Sequence, residues 1–394
     1  MQDNYSQRSN QIRSSEIREI LKVTERPDII SFAGGLPAPE LFPVEEMREA
    51  CNLVLQKEKD HALQYSTTEG YRPLREWIAN RLRQKGVYAV ADDILILTGS
   101  QQGLDLSAKV FIDEGDIIVC ESPTYLAALQ AFRAFGPRFV SVDMDENGMV
   151  MSHLEQVLSE NKVKLIYTVP DFQNPTGRTM SLERRKKLVE LAERFGVIVV
   201  EDNPYGELRF AGKELPPVKA FDITGRVVYL STFSKILAPG LRIGWVCTTS
   251  AEHMSRYIIL KQGTDLHTDS FSQMITHQYL IQNDIDQHIR EIRKVYGARR
   301  NLMLDTMHAK FPAGIRYTHP EGGLFLWVEL PEGMDAKQIL HQCIEEKIAF
   351  VPGEPFFTNG KGKNTFRLNF SNMADTYIVE GIEKLGKILQ QFMK

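Results

Sequence analysis

A lysine and an arginine stand seven residues apart in STFSKILAPGLRIG (Ser231–Gly244), a loop with Pro239 and Gly240 that follows the apolar run RVVYL. An amine at the end of a buried strand can act as nucleophile or general base, and a guanidinium offers paired N–H donors to an anion. Four other stretches put reactive groups beside apolar runs. In LTGSQQGLDL (Leu97–Leu106) a strand runs into Gly99, and Ser100 and Gln101 open a helix, an arrangement whose free N–H groups can cradle a phosphate. In PDFQNPTGRTM (Pro170–Met180) Asn174 is fixed in a turn by Pro175. In VIVVEDNPYGEL (Val197–Leu208) Asp202 ends the most apolar run, and Tyr205 points a phenol toward the same space. In NTFRLNFS, Arg367 lies between apolar residues of a late strand. Each has a plainer reading: a solvated loop lysine, a serine N-cap, an Asn-Pro turn, an acid capping the next element, a strand salt bridge.

The elements that must position these groups are legible in the pattern. Seven β-branched runs are expected as strands: DILILT (93–98), DIIVC (116–120), RFVSV (138–142), KLIYTV (164–169), GVIVVED (196–202), RVVYLST (226–232) and RIGWVCT (242–248). Several are apolar on both faces, as strands covered by helices are. Amphipathic segments such as QQGLDLSAKVFI and SLERRKKLVELAERFG alternate with them; in the second, Leu182, Leu188, Leu191, Ala192 and Phe195 form one stripe and the charged residues are expected to face water. The alternation predicts an α/β unit with a mostly parallel seven-stranded sheet. One of the last two strands is expected to be antiparallel, because the loop between them is too short for a helix. After about residue 285 a long helical stretch precedes the strand-like runs GLFLWVEL, IAFVPG and TFRLNF, with helices after the first two. The expected division is 1–45 as an N-terminal segment with a helix SEIREILKVTE packing on the small unit, 46–285 as the large unit, and 286–394 as a smaller α+β unit.

Open α/β sheets bind ligands beyond the carboxyl ends of their strands. Ser100, Asn174, Asp202 and Lys235 all follow such ends, so one cleft can collect them. A phosphate cradle, a carboxylate, amide and hydroxyl donors and a lysine are together what pyridoxal 5′-phosphate requires. With these residues in view, the chain resembles the fold-type I pyridoxal-phosphate aminotransferases of class I/II. Within them it is similar to the 2-aminoadipate and kynurenine aminotransferase group, which shares SFAGGLPAPELFP, LQYSTTEGYRPLREW, QNPTGR, FSKILAPGLRIGW and the FRLNFS-like strand. The likeness runs from about residue 12 to the end.

The resemblance implies a role for each matched residue. Lys235 is the lysine that condenses with the cofactor aldehyde and then moves the substrate Cα proton. Ser100, Gln101, Thr232, Ser234 and Arg242 are the phosphate ligands, and Asp202 is the partner of the pyridine nitrogen. Asn174 and Tyr205 donate to the ring's phenolic oxygen, and Tyr125 stacks on the ring. Arg367 grips the substrate α-carboxylate with Asn174, and Gly35 of FAGGLP lies at the substrate. Tyr65 reaches the phosphate of a partner subunit, which implies a homodimer. Arg18 matches an arginine near the substrate side chain and would favour acidic substrates; the alternative is a solvated helix arginine. The implied reaction moves the amino group of an L-amino acid (2-aminoadipate, glutamate, leucine-like or aromatic) to a 2-oxo acid such as 2-oxoglutarate in ping-pong order.

Composition narrows the field. Lys+Arg 47 against Asp+Glu 51 gives a net charge of −4, which offers no broad cationic field for nucleic acid or an anionic membrane. Cys51, Cys120, Cys247 and Cys343 have no paired spacing, which points to free thiols, and no histidine cluster suggests a metal. The polar N-terminus does not read as a signal peptide, so a cytoplasmic protein is expected. Two alternatives stand beside the transaminase: a lyase or decarboxylase of the same fold, and a ligand-sensing regulator. The regulator would need a winged-helix domain, and the residues before FAGGLP contain no basic recognition helix.

Overall fold

The structure, a computed structural model, describes residues 4, 6 and 8 and residues 28–393. The expected helix SEIREILKVTE and Arg18 lie outside these residues. The seven expected strands form, in order, β2 (Ile94–Thr98), β3 (Ile117–Ser122), β4 (Arg138–Asp145), β6 (Val163–Thr168), β7 (Ile198–Asp202), β8 (Val227–Thr232) and β9 (Ile243–Cys247). An eighth, β5 (Gly148–Met149), corrects the expected count of seven. It exists because β4 runs on to Asp145, whose Oδ1 accepts from Asn147 N at 2.8 Å, and Gly148 at φ +89° turns the chain back antiparallel on β4. The order is β2-β9-β8-β7-β6-β3-β4-β5. β8, β7, β6, β3 and β4 are parallel, whereas β9 is antiparallel to both of its neighbours.

The early helices α1 (Val44–Glu58) and α2 (Arg72–Gln84) lead into β2. Between and after the strands come α3 (Ser100–Phe111), α4 (Leu126–Arg133), α5 (Met151–Glu160), α6 (Leu182–Phe195), α7 (Ala251–Asp265) and α8 (Ser270–Gln282). α6 shows how local sequence fixes its ends. The Ser181 hydroxyl accepts from Arg184 N, and Gly196 (φ 70°) stops the helix while Val197 N bonds to Ala192 O at 2.9 Å. Leu188, Leu191 and Ala192 are buried as expected, but so is Arg185, which therefore departs from the expected water-facing charges. It is buried because Asp171 waits for it, with a 2.7 Å contact.

The C-terminal part has α9 (Ile285–Lys310), then β10 (Arg316–Tyr317), β11 (Phe325–Glu329), α10 (Ala336–Glu345), β12 (Ile348–Ala349), β13 (Val351–Pro352), β14 (Thr365–Asn369) and α11 (Asp375–Phe392). β10, β11, β14 and β13 make an antiparallel sheet, and β12 pairs in parallel with β1 (Ile30–Ser31). Thus IAFVPG is two short strands in two sheets. No helix follows it: Glu354–Phe356 is one 3-10 turn, and the run TNGKGKN (358–364), with Gly360 at φ 71° and Gly362 at φ 79°, continues as turn and loop. The second helix instead comes after β14, as α11. Asn369 N donates to Phe32 O at 2.8 Å, which seats the 32–38 segment against β14. Among the described residues no helix is long and apolar enough to cross a membrane.

Candidate active site

The carboxyl ends of the large sheet open into a cleft of about 560 Å³ whose far wall comes from β11, β14 and the 354–356 turn. Of the residues named from sequence, it is lined by Gly35, Ser100, Gln101, Tyr125, Asn174, Asp202, Tyr205, Thr232, Ser234, Lys235, Arg242 and Arg367. Tyr65 is not among them; it is 80% exposed and stands edge-on to His267, ring centroids 5.9 Å apart. Arg18 is outside the described residues.

Antiparallel β9 explains why Arg242 meets residues that follow strand ends. Its first residues pair with the last residues of its neighbours, Ile243 with Thr98 and Gly244 with Thr232. The residue just before β9 therefore lands where β2 and β8 finish. Arg242 adopts φ 55° and sends Nη2 toward Thr98 O (3.4 Å), over Gly99. A Cβ on Gly99, itself at φ 75°, would lie 2.2 Å from that nitrogen, so a side chain there would strain the backbone and push the guanidinium aside. The guanidinium thus sits beside the first turn of α3, with Ser100 and Gln101, and opposite the hydroxyl pair of Thr232 and Ser234 (Oγ···Oγ 2.8 Å). Arginine, two hydroxyls and a helix N-terminus together make an anion cradle.

Lys235 closes a 3-10 turn directly after β8, and its Nζ donates to Gly35 O at 2.8 Å. Burial, then the charges of Arg367 and Arg242, hold its ammonium down at about 8. A good fraction of this amine is therefore neutral in mildly alkaline solution, as a nucleophile or base requires.

Asp202 is 2% exposed. Tyr167 OH donates to its Oδ2 at 2.9 Å, while Oδ1 is buried with no partner among the described residues. Burial raises the carboxyl to about 7. A buried carboxylate oxygen without a donor is costly unless something else supplies one. Arg367 is held on β14 by two acceptors, Asn174 Oδ1 at 2.8 Å and Ala33 O at 2.6 Å. Its guanidinium lies 4.2 Å from the Phe325 ring centroid and 5.3 Å from that of Phe356, and its Nε has no partner among the described residues. Burial lowers it to about 10, so it stays a cation. Tyr205 is buried edge-on to Phe325, and Tyr125, at the start of α4, is pushed up to about 12 by burial.

Sequence reasoning missed Phe325, Phe356 and Gln130, which line the cleft, and Tyr167, Glu121 and Gln173, which lie behind it. Gln173 was in view inside QNPTGR; nothing in the pattern marks Tyr167 or Glu121, because both sit on strands where apolar residues are the rule. The residues fit pyridoxal phosphate: a cradle for a dianion, a cleft-lining carboxylate with one oxygen unpartnered among the described residues, and an amine in the same cleft.

The family model for aminotransferase class I and II matches residues 27–385. The chain belongs to that family, has the fold-type I architecture, and is an aminotransferase whose cofactor is pyridoxal 5′-phosphate. It is 48% identical to aromatic-amino-acid aminotransferase 1 of Thermococcus litoralis, over 99% of this chain and 95% of the relative. Its structure resembles the kynurenine aminotransferase of Pyrococcus horikoshii solved with PMP (TM-score 0.95, 46% identity, 99% and 98% of the two chains). It also resembles the α-aminoadipate aminotransferase of Thermus thermophilus complexed with N-(5′-phosphopyridoxyl)-L-leucine (TM-score 0.92, 41% identity, 99% and 98%).

Proposed function

We propose that this aminotransferase takes the α-amino group from L-amino acids with acidic (2-aminoadipate, glutamate), leucine-like or aromatic side chains. It passes that group to a 2-oxo acid, with 2-oxoglutarate as the acceptor, in ping-pong order. The observation that carries this reading is the meeting of three groups in one cleft: the neutralisable amine of Lys235, the unpartnered oxygen of Asp202 and the clamped guanidinium of Arg367. The names of the relatives, aromatic and aminoadipate aminotransferases, and the leucine adduct of one of them support the substrate range.

Pyridoxal phosphate, when bound, supplies an electron sink for the electrons released when the Cα proton leaves. The residues of the chain do the rest. Ser100, Gln101, Thr232, Ser234 and Arg242 would hold its phosphate, and Tyr125 would lie against its ring. Asp202 would hold a proton on the ring nitrogen, kept in orientation by Tyr167. Asn174 and Tyr205 would donate to the phenolic oxygen. Lys235 Nζ takes and returns the proton at the substrate Cα, and its low pKa matches that task. Arg367 binds the α-carboxylate on the edge its two acceptors leave open, and Phe325 and Phe356 keep water from it.

The same reading places Tyr65 at the phosphate of a second subunit in a homodimer, Arg18 near an acidic substrate side chain, and Gly35 at the substrate. It keeps the division at 1–45, 46–285 and 286–394, and a cytoplasmic setting. The test is purified protein with a panel of amino donors against 2-oxoglutarate. Glutamate formation from 2-aminoadipate, leucine and an aromatic donor is expected. Absence of amino transfer from every donor would overturn the proposal.

A further inference from the structure

Behind the cleft lies a carboxylate that none of the roles above uses. Glu121, near the end of β3, is 1% exposed and makes no ion pair among the described residues. Its oxygens accept from Thr168 Oγ1 at 2.6 Å, Val169 N at 3.3 Å and Gln173 Nε2 at 3.0 Å. Burial raises it to about 7, and a buried acid at that cost needs a reason to be there.

The geometry supplies one. The Gln173 amide, held by Glu121 and by Pro123 O (2.7 Å), turns its own oxygen to Thr176 N (3.1 Å) and Thr176 Oγ1 (2.7 Å). Thr176 Oγ1 in turn accepts from Arg178 N (3.2 Å), and the backbone closes the turn with Gln173 N to Arg178 O (2.8 Å). One side chain therefore organises the whole 173–178 turn from inside. Asn174 rides on that turn, and its Oδ1 is one of the two acceptors that the described residues give the Arg367 guanidinium.

We propose that Glu121 is a positioning residue for the substrate carboxylate: it holds the Gln173 amide, which fixes the 173–178 turn and so keeps Asn174 against Arg367. The proposal rests on Arg367 and Asn174 gripping the α-carboxylate, as read above. Glutamine at 121 can preserve the chain, since its oxygen can face Gln173 and Val169 while its amide donates to the Thr168 hydroxyl, which accepts as well as donates. Alanine cannot.

The test uses the holoenzyme as wild type, Glu121→Ala, Glu121→Gln, Asn174→Ala and the Glu121→Ala/Asn174→Ala pair. Hydrogen exchange by mass spectrometry reads the turn without using activity. In Glu121→Ala the amides of 173–178 should exchange roughly tenfold faster, with β2 and β9 unchanged, and KM for amino donors should rise about tenfold with kcat changed less than about threefold. Glu121→Gln should recover most of both effects. On an Asn174→Ala background Glu121→Ala should add little to KM, since the two act in one chain. If Glu121→Ala does not fold, Gln173→Ala, which leaves the bonds of Glu121 to Thr168 and Val169, should show the same pattern. Unchanged exchange and KM with only a lower melting temperature overturn the proposal. Faster exchange with unchanged KM in an active enzyme overturns the carboxylate reading on which it rests.

Discussion

Two aspartates, one past the carboxyl end of β6 and one ending its neighbour β7, are both buried, yet the chain treats them in opposite ways. Asp171, three residues past β6, receives Arg185 Nη2 at 2.7 Å, Nη1 at 3.1 Å and Asn203 Nδ2 at 2.8 Å. Burial pushes its carboxyl up, but the charge and hydrogen bonds of Arg185 outweigh that and hold it below the usual range. Asp202, at the end of β7, receives one phenol, keeps one oxygen unpartnered and is raised to about 7. Asp171 is complete within the chain, so it serves structure. Among the described residues Asp202 is left one donor short, and on the reading proposed above the cofactor's ring nitrogen would complete it. The same contrast separates two buried arginines. Arg185 is spent on Asp171, Met180 O, Pro170 O and Pro216 O, whereas among the described residues Arg367 pairs with no carboxylate and its Nε has no partner. Burial alone does not tell these pairs apart; an unmet valence in a residue that lines the cleft does.

The contrast can be broken at several points. The largest effect belongs to Lys235→Ala, which should lower the transamination rate by roughly a thousandfold or more in steady-state assays, since nucleophile and base are lost together. Asp202→Asn should cost about a hundredfold in kcat while the protein folds normally. Asp171→Asn should do the reverse, lowering stability by about 3 kcal/mol in denaturant titrations and changing kcat per folded molecule by less than about threefold. Equal activity losses in the two variants would erase the distinction. Arg367→Ala should raise KM for amino donors by roughly a hundredfold, with a smaller change in kcat.

A subtler effect appears in the pH dependence of stability. Burial raises the folded-state carboxyl of Asp202 to about 7, above the ordinary aspartate value of 3.8, so folded protein holds an extra proton between those values. The stability tied to that proton is fully present below pH 3.8 and is lost as pH rises through 7. With cofactor removed, Asp202→Asn should therefore melt higher than wild type at pH 8, and the gain should shrink toward pH 4. A gain that does not vary with pH contradicts the assignment.

The half of the site that follows regular strands was legible in the sequence. Lys235, Asp202 and Ser100 come directly after apolar runs whose ends lie at one edge of a parallel sheet, so pattern and topology place them together. Arg242 needed one more step, the antiparallel β9, which the short preceding loop suggested. The substrate half was less legible as geometry. Arg367 meets Ala33 O across 334 positions of chain, and Phe325 joins it from the neighbouring strand β11 and Phe356 from the 354–356 turn. No local pattern encodes such contacts; only the likeness to a family assigned Arg367 its role. Tyr167, Glu121 and Arg185 stayed hidden for a related reason. Periodicity reports which face of an element is buried, and it gives no hint that a polar residue on that face has found its partners. The short β5 and the missing helix after β13 came down to turns, where Gly148 and the TNGKGKN run decide.

The central claim is tested most directly on Lys235 itself. The purified protein, supplied with pyridoxal phosphate, is reduced with borohydride, digested and mapped by mass spectrometry. The account predicts a phosphopyridoxyl group on the peptide containing Lys235 and, in the Lys235→Ala variant, on no peptide. A group fixed to another lysine in the wild type, or to none, would contradict it.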